Sequence, residues 1–193
     1  EKMDPILAYM HYMLKKARSA DVPIREHDFK EAGKNIELFP GVDSFFQRMN
    51  EIGKSLGVEI EHYIISSGLK EIIEGSVLKD VFKGIYACSF HYDVNGVADW
   101  PSLVVNYTNK TQYIFRIAKG VLDEYDERVN DSMPDNMLRI PYENIVYIGD
   151  SATDIPCMRL VKSKGGFSIG VYDPDKDERT RVYQLFNDDR LSF

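Results

Sequence analysis

The segment Ile145-Val-Tyr-Ile-Gly-Asp-Ser-Ala-Thr-Asp-Ile-Pro-Cys-Met158 decides the fold. An apolar run of β-type residues ends at Gly149-Asp150, and Asp154 follows where a helical pattern begins. Open α/β sheets keep their ligand sites at the carboxyl ends of their strands, so both acidic groups stand where such a site belongs. Carboxylates held there suit Mg²⁺, which takes one or two protein carboxylates and leaves its other positions to water and phosphate. The same residues also read as a plain strand-to-helix turn with Asp150 capping the helix.

Two further segments bear on that choice. Glu61-His-Tyr-Ile-Ile-Ser-Ser-Gly-Leu69 is a second apolar run, closed by Ser66, Ser67 and Gly68. A hydroxyl and free backbone N–H groups in such a turn form a cradle for an oxyanion. Asn106-Tyr-Thr-Asn-Lys110 then opens an amphipathic stretch that runs on to Lys119. A cation at the mouth of a helix opposes the helix dipole, so Lys110 serves stability poorly and an incoming anion well. Taken singly, Ser66 or Lys110 reads as a surface residue; the ordered set is far more specific.

At these residues the chain resembles the haloacid dehalogenase-like (HAD) phosphohydrolases, in particular the phosphoserine-phosphatase-like branch. Ile64-Ile-Ser-Ser-Gly-Leu69 is similar to the second motif of that family, Lys110 with its helix to the third, and Gly149-Asp-Ser-Ala-Thr-Asp154 to the fourth. The resemblance covers roughly residues 39 to 172. Thr153 departs from the pattern, since close relatives often carry Asn there. The resemblance implies an α/β fold: a three-layer α/β/α Rossmann-like core with a parallel sheet over residues 39–193, preceded by part of a helical cap over 1–38. It also implies a small β-hairpin between the second and third motifs. The implied activity is Mg²⁺-dependent hydrolysis of a small phosphorylated metabolite through an aspartyl-phosphate. Ser66, Ser67, Gly68 and Lys110 would bind the phosphate, with Ser66 and Lys110 taking part in catalysis, and Asp150 and Asp154 would serve the metal.

The first motif of the family, an apolar strand followed by Asp-x-Asp-x-Thr/Val, does not occur upstream of Ser66. Its two aspartates are the nucleophile and the general acid/base, and its strand lies in the middle of the sheet. A sheet lacking that strand leaves two rows of backbone polar groups unpaired, at high cost. The expectation is therefore a longer polypeptide or a complementing partner, with a slot flanked by strands at 59–65 and 145–148. The alternative is a catalytically inactive binding or regulatory module.

Bulk properties narrow the classes. A chain of 193 residues holds one domain with a good core and a small appendage. With 44% apolar and 28% charged residues it has ordinary globular composition. A net charge of −7 gives no basic face for nucleic acid. No apolar run approaches the ~20 residues of a membrane span, and no signal peptide is visible. Cys88 and Cys157 set up neither a disulfide framework nor a metal spacing. Sequons begin at Asn106, Asn109 and Asn130, but a glycan at the first two would block Lys110. A reducing cytoplasm fits these features, and the oligomeric state is open.

Along the chain, Asp4-Pro5 starts a helix, and Ile6, Leu7, Met10, Met13, Leu14 and Ala17 follow its apolar spacing. The early methionines read as core packing or as an adaptable substrate roof. Further helices are expected at about 25–34, 42–56, 69–82 and 110–128, with a solvated insertion over 130–143. Strands are expected at 59–65, 85–92, 97–100, 145–148 and 167–172. Asn95-Gly96 marks a hairpin turn between the second and third of these.

Three rival signals fail on their own chemistry. Gly53-Lys-Ser55 mimics the end of a P-loop, yet Arg48 stands where its first glycine must be. Asp173-Pro-Asp-Lys-Asp177 looks like both a displaced Asp-x-Asp motif and a calcium loop. As the former it stands in the wrong order without the trailing Thr or Val, and as the latter it has Glu178 and Gln184 in place of the required Gly and Glu. Gly149-Asp-Ser151 matches a lipase nucleophile block, but His11, His27, His62 and His91 all precede it, whereas that class draws its base from near the carboxyl end. Each histidine reads as a surface or packing residue, with substrate contact from the cap as the alternative for His11 and His27.

Overall fold

The computed structural model describes residues 2–173, 179–188 and 190–193. The chain is mixed α/β and divides into two compact units, residues 1–105 and 106–193. Among the described residues no helix is long and apolar enough to cross a membrane.

In the first unit, α1 (Pro5–Ser19) starts where the sequence requires, with the Asp4 carboxylate accepting from the N–H groups of Ile6 and Leu7. It buries Met10 and Leu14. α2 (Glu26–Gly33) and α4 (Lys70–Gly75) cross at two facing glycines. A Cβ on Gly75 would lie 2.0 Å from the Lys30 carbonyl oxygen, and one on Gly33 2.1 Å from that of Ile72. Only glycine permits that approach. α3 (Val42–Ser55) turns Phe46 edge-on to His62 and Phe82.

The sheet of this unit has the order β1 (Tyr63–Leu69), β2 (Gly84–Tyr92), β3 (Ala98–Leu103). β1 runs parallel to β2, with Tyr63 opposite Gly84 and Ser66 opposite Ala87. β2 runs antiparallel to β3 through the expected turn, where the Asp93 N–H donates to the Val97 carbonyl at 2.9 Å. Tyr86, Ala87 and Cys88 are buried in succession, as in a central strand covered on both faces. α1 packs on β3, and Phe29 of α2 stacks on Phe90 of β2. α1 and α2 therefore lie against this sheet within the first unit. β1 begins about four residues later than expected, and the helix after it ends at Gly75 with a short 3-10 turn at Lys79–Val81 in place of a longer run.

The second unit opens with α5 (Thr111–Lys119), which buries Tyr113, Ile114, Ile117 and Ala118. The expected end at residue 128 is corrected to Lys119. Gly120 takes a left-handed φ of 77° and stops the helix there, as glycine at a helix C-terminus does. The following loop is tied back: the Arg116 guanidinium donates to the carbonyls of Asp123 and Asp126, and the Lys119 ammonium to those of Val129 and Asp131. β4 (Val146–Gly149), α6 (Ile155–Ser163) and β5 (Phe167–Gly170) form a parallel β-α-β unit, with Val146 opposite Phe167 and Gly149 opposite Gly170. Residues 191–193 run beside β5, where the Ser192 N–H donates to the Ser168 carbonyl and the Gly170 N–H to that of Phe193. α7 (Arg179–Asn187) supplies the expected final helix. The Asp173–Asp177 segment lies outside the described residues beyond Asp173.

Candidate functional site

β4 alternates: Tyr147 is buried, while Val146 and Ile148 are 54% and 45% exposed. The strand ends at Gly149, whose missing side chain is required. A Cβ there would sit 2.7 Å from Cβ of Asp154. That close approach lets Asp154 fold back against the strand end from the 3-10 turn Ala152–Asp154, where Ser151 and Asp154 make a capping box.

Lys110 precedes the first residue of α5, and its ammonium donates to Asp154 Oδ1 at 2.7 Å. Both side chains are nearly sealed, at 5% and 8% exposure. The Tyr147 hydroxyl donates to the same oxygen at 2.7 Å. Asp154 Oδ2 accepts from the backbone N–H of Ser151 at 3.1 Å and from its hydroxyl at 2.7 Å. Burial alone would raise the Asp154 pKa. The hydrogen bond and charge of Lys110, with Tyr147 and Ser151, outweigh burial and hold the carboxyl below its usual range. Burial, and then the charges of Cys157 and Asp154, push the Tyr147 phenol well above its ordinary range. Burial also pushes the Cys157 thiol up to about 11, so it is a packed, unreactive group. Asp150 is exposed, and its carboxylate has no hydrogen bond or ion pair among the described residues.

The structure thus brings Lys110, Asp150 and Asp154 to one strand end of the second unit. Ser66, Ser67 and Gly68 stand at the carboxyl end of β1 in the first. Ser66 Oγ accepts from the Gly68 N–H at 3.0 Å, and its own proton has no acceptor among the described residues. The Ser67 carbonyl accepts from the Tyr9 hydroxyl at 2.9 Å and from the Cys88 thiol, while the buried Ser67 hydroxyl has no partner among the described residues. Burial first, then Cys88 and Glu71, push the Tyr9 phenol above its normal range.

Sequence reasoning did not find Tyr147 or Glu71. Glu71 is 5% exposed, and its Oε1 accepts from the Tyr92 hydroxyl at 2.8 Å and the Phe90 N–H at 3.3 Å. A polar residue in the first turn after a serine-glycine cradle was the available signal. Ser151 donates to Asp154 and shares a hydroxyl contact with Thr153 at 2.7 Å, so it is a capping group. His27 and His91 each meet a surface carboxylate, Asp28 and Asp99, and His11 lies edge-on to Tyr12.

No family model matches this chain. A protein of Borreliella burgdorferi described as "Uncharacterized protein" is 29% identical over 148 residues, which cover 68% of this chain and 50% of that protein. The chain spans about half the length of that curated relative.

Proposed function

We propose that residues 1–193 belong to a Mg²⁺-dependent phosphohydrolase of the haloacid dehalogenase-like type, built on a three-layer α/β/α core and acting on a small phosphorylated metabolite. One observation carries this reading: the buried Lys110–Asp154 pair at the same strand end as the exposed Asp150. A fixed ammonium and a solvent-facing carboxylate are what a phosphomonoester and its counter-cation need at one place.

Asp150 fits Mg²⁺ as a single protein ligand, since it is exposed and otherwise unengaged among the described residues. Asp154 meets four donors and supports the site from behind. When bound, the cation would neutralise charge on the phosphoryl oxygens. In this reading Lys110 neutralises phosphoryl charge in the second unit, and Ser66, Ser67 and Gly68 form an oxyanion cradle in the first.

The reading needs an aspartate nucleophile and an aspartate acid/base from a segment outside residues 1–193. In the described sheets β1 pairs only with β2, and β4 only with β5. Each keeps an open edge on which a strand bearing those groups can pair. The rival reading is a phosphate-binding module without turnover.

The test is an assay of the full-length protein on a panel of phosphomonoesters, with and without a chelator. Turnover that is lost on chelation is the expected result. Phosphate binding without turnover favours the module, and neither binding nor turnover sinks both readings.

A further inference from the structure

An ionised carboxylate offers about four acceptor positions, and Asp154 has four donors on it. Oδ1 takes Lys110 Nζ and the Tyr147 hydroxyl; Oδ2 takes the backbone N–H and the hydroxyl of Ser151. A cation could enter only by displacing one of them, leaving a buried ammonium or phenol without its acceptor, which proteins avoid. Asp150 carries no such load. We infer that Asp154 is an internal strut for the Lys110 ammonium, not a metal ligand, and that Tyr147 is a positioning residue which holds that strut.

The inference rests on the proposed function only in taking Lys110 as the phosphate-binding cation. Tyr147 is suited to the role by register. It is the one side chain of β4 between two exposed apolar residues that faces inward, and phenylalanine would fill the same volume without the hydroxyl. Gly149 is the other half of the device, since any side chain there would drive Asp154 away from the strand. Lys110 commits one of its three N–H groups to Asp154. The strut fixes the ammonium, and the other two N–H groups make no hydrogen bond among the described residues.

The experiment uses the full-length protein and the single variants Asp150→Asn, Asp154→Asn and Tyr147→Phe. Mn²⁺ affinity is read by electron paramagnetic resonance, vanadate affinity by titration, and exchange of the Lys110 ammonium protons by ¹⁵N-lysine NMR. Asp150→Asn should weaken Mn²⁺ at least ~10-fold, whereas Tyr147→Phe and Asp154→Asn should leave it within about threefold. Tyr147→Phe should weaken vanadate ~10-fold, the size of effect supporting groups have on a site, and should speed Lys110 ammonium exchange by a similar factor.

Loss of Mn²⁺ affinity in Asp154→Asn equal to that in Asp150→Asn overturns the strut. Unchanged Lys110 exchange in Tyr147→Phe overturns the positioning role. If Asp154→Asn does not fold, the Lys110→Met/Asp154→Asn pair, which removes both charges together, replaces it in the metal arm. If Tyr147→Phe does not fold, the Tyr147 hydroxyl proton of the unmodified protein decides: slow exchange supports the bond, and rapid exchange overturns it. A wild-type protein that binds neither Mn²⁺ nor vanadate defeats the phosphohydrolase reading, while Lys110 exchange still decides the role of Tyr147.

Discussion

At the scale of single residues, the charges at the end of β4 divide into one that faces solvent and two that are sealed together. Asp150 is exposed, so Asp150→Asn should leave folding intact and cut Mg²⁺-dependent hydrolysis by the full-length protein at least ~100-fold, about 2.7 kcal/mol of barrier. Activity unchanged at saturating Mg²⁺ removes Asp150 from the site. Lys110→Ala should weaken vanadate binding and turnover, and Lys119→Ala should do neither. The two lysines share α5, but the Lys119 ammonium is spent on the Val129 and Asp131 carbonyls. Its loss should appear only as reduced stability, ~1 kcal/mol. A vanadate defect in Lys119→Ala with a normal Lys110→Ala would overturn the assignment of the third motif. The Asp154 carboxyl adds a pH dependence. Its pKa in the fold is depressed below the ordinary 3.8, so its contribution to stability is complete above the unfolded value and is lost as pH falls through the folded one. Thermal unfolding should show an acid limb below about pH 4, and that limb should be smaller in Lys110→Met/Asp154→Asn.

At the scale of elements, what could be read from the sequence was whatever local chemistry writes down. β4, α6 and β5 follow from two apolar runs around a helical pattern, and the β2–β3 hairpin from Asn95-Gly96. The Asp4 cap fixed the start of α1. Where the reading overshot, a single residue overruled periodicity: apolar spacing continues past Lys119 through Val121 and Leu122, but Gly120 in the left-handed region ends α5. In the candidate site, the sequence placed Lys110, Asp150 and Asp154 at strand and helix ends, where the structure has them, because such ends are marked by local pattern. Tyr147 was not, since an aromatic residue inside an apolar run reads as packing until register shows where its hydroxyl goes. The α2–α4 crossing was equally hidden, because no local pattern pairs Gly33 with Gly75. It makes its own prediction: Gly75→Ala forces a methyl within 2.0 Å of the Lys30 carbonyl. That is backbone against backbone and cannot be relieved by a rotamer change. The expected loss is ~1–3 kcal/mol, the range for overpacking, measured by denaturant unfolding. A neutral Gly75→Ala would mean that the helices part at little cost.

At the scale of the whole molecule, the open strand edges govern behaviour. Among the described residues β1 has its only ladder with β2, and β4 has its only ladder with β5, whose far side is taken up by residues 191–193. Two-stranded sheets are marginal by themselves, and parallel strands are normally covered on both faces. Yet Val146, Ile148 and Phe167 leave an apolar face of the β4–β5 pair 54%, 45% and 47% exposed. An unpaired edge beside apolar surface recruits other chains. A polypeptide limited to residues 1–193 should therefore aggregate or unfold without cooperativity, and should hydrolyse no phosphomonoester, since the proposed nucleophile is not in it. A peptide carrying an apolar strand that ends in Asp-x-Asp should restore solubility and Mg²⁺-dependent hydrolysis together, because one segment would supply both the missing ladder and the missing nucleophile. The same peptide with its first aspartate changed to asparagine should restore solubility alone, which separates pairing from chemistry. Cooperative unfolding of residues 1–193 as a monomer, with robust hydrolysis and no added strand, would show that the nucleophile lies within them, and Asp173 would be the first residue to substitute.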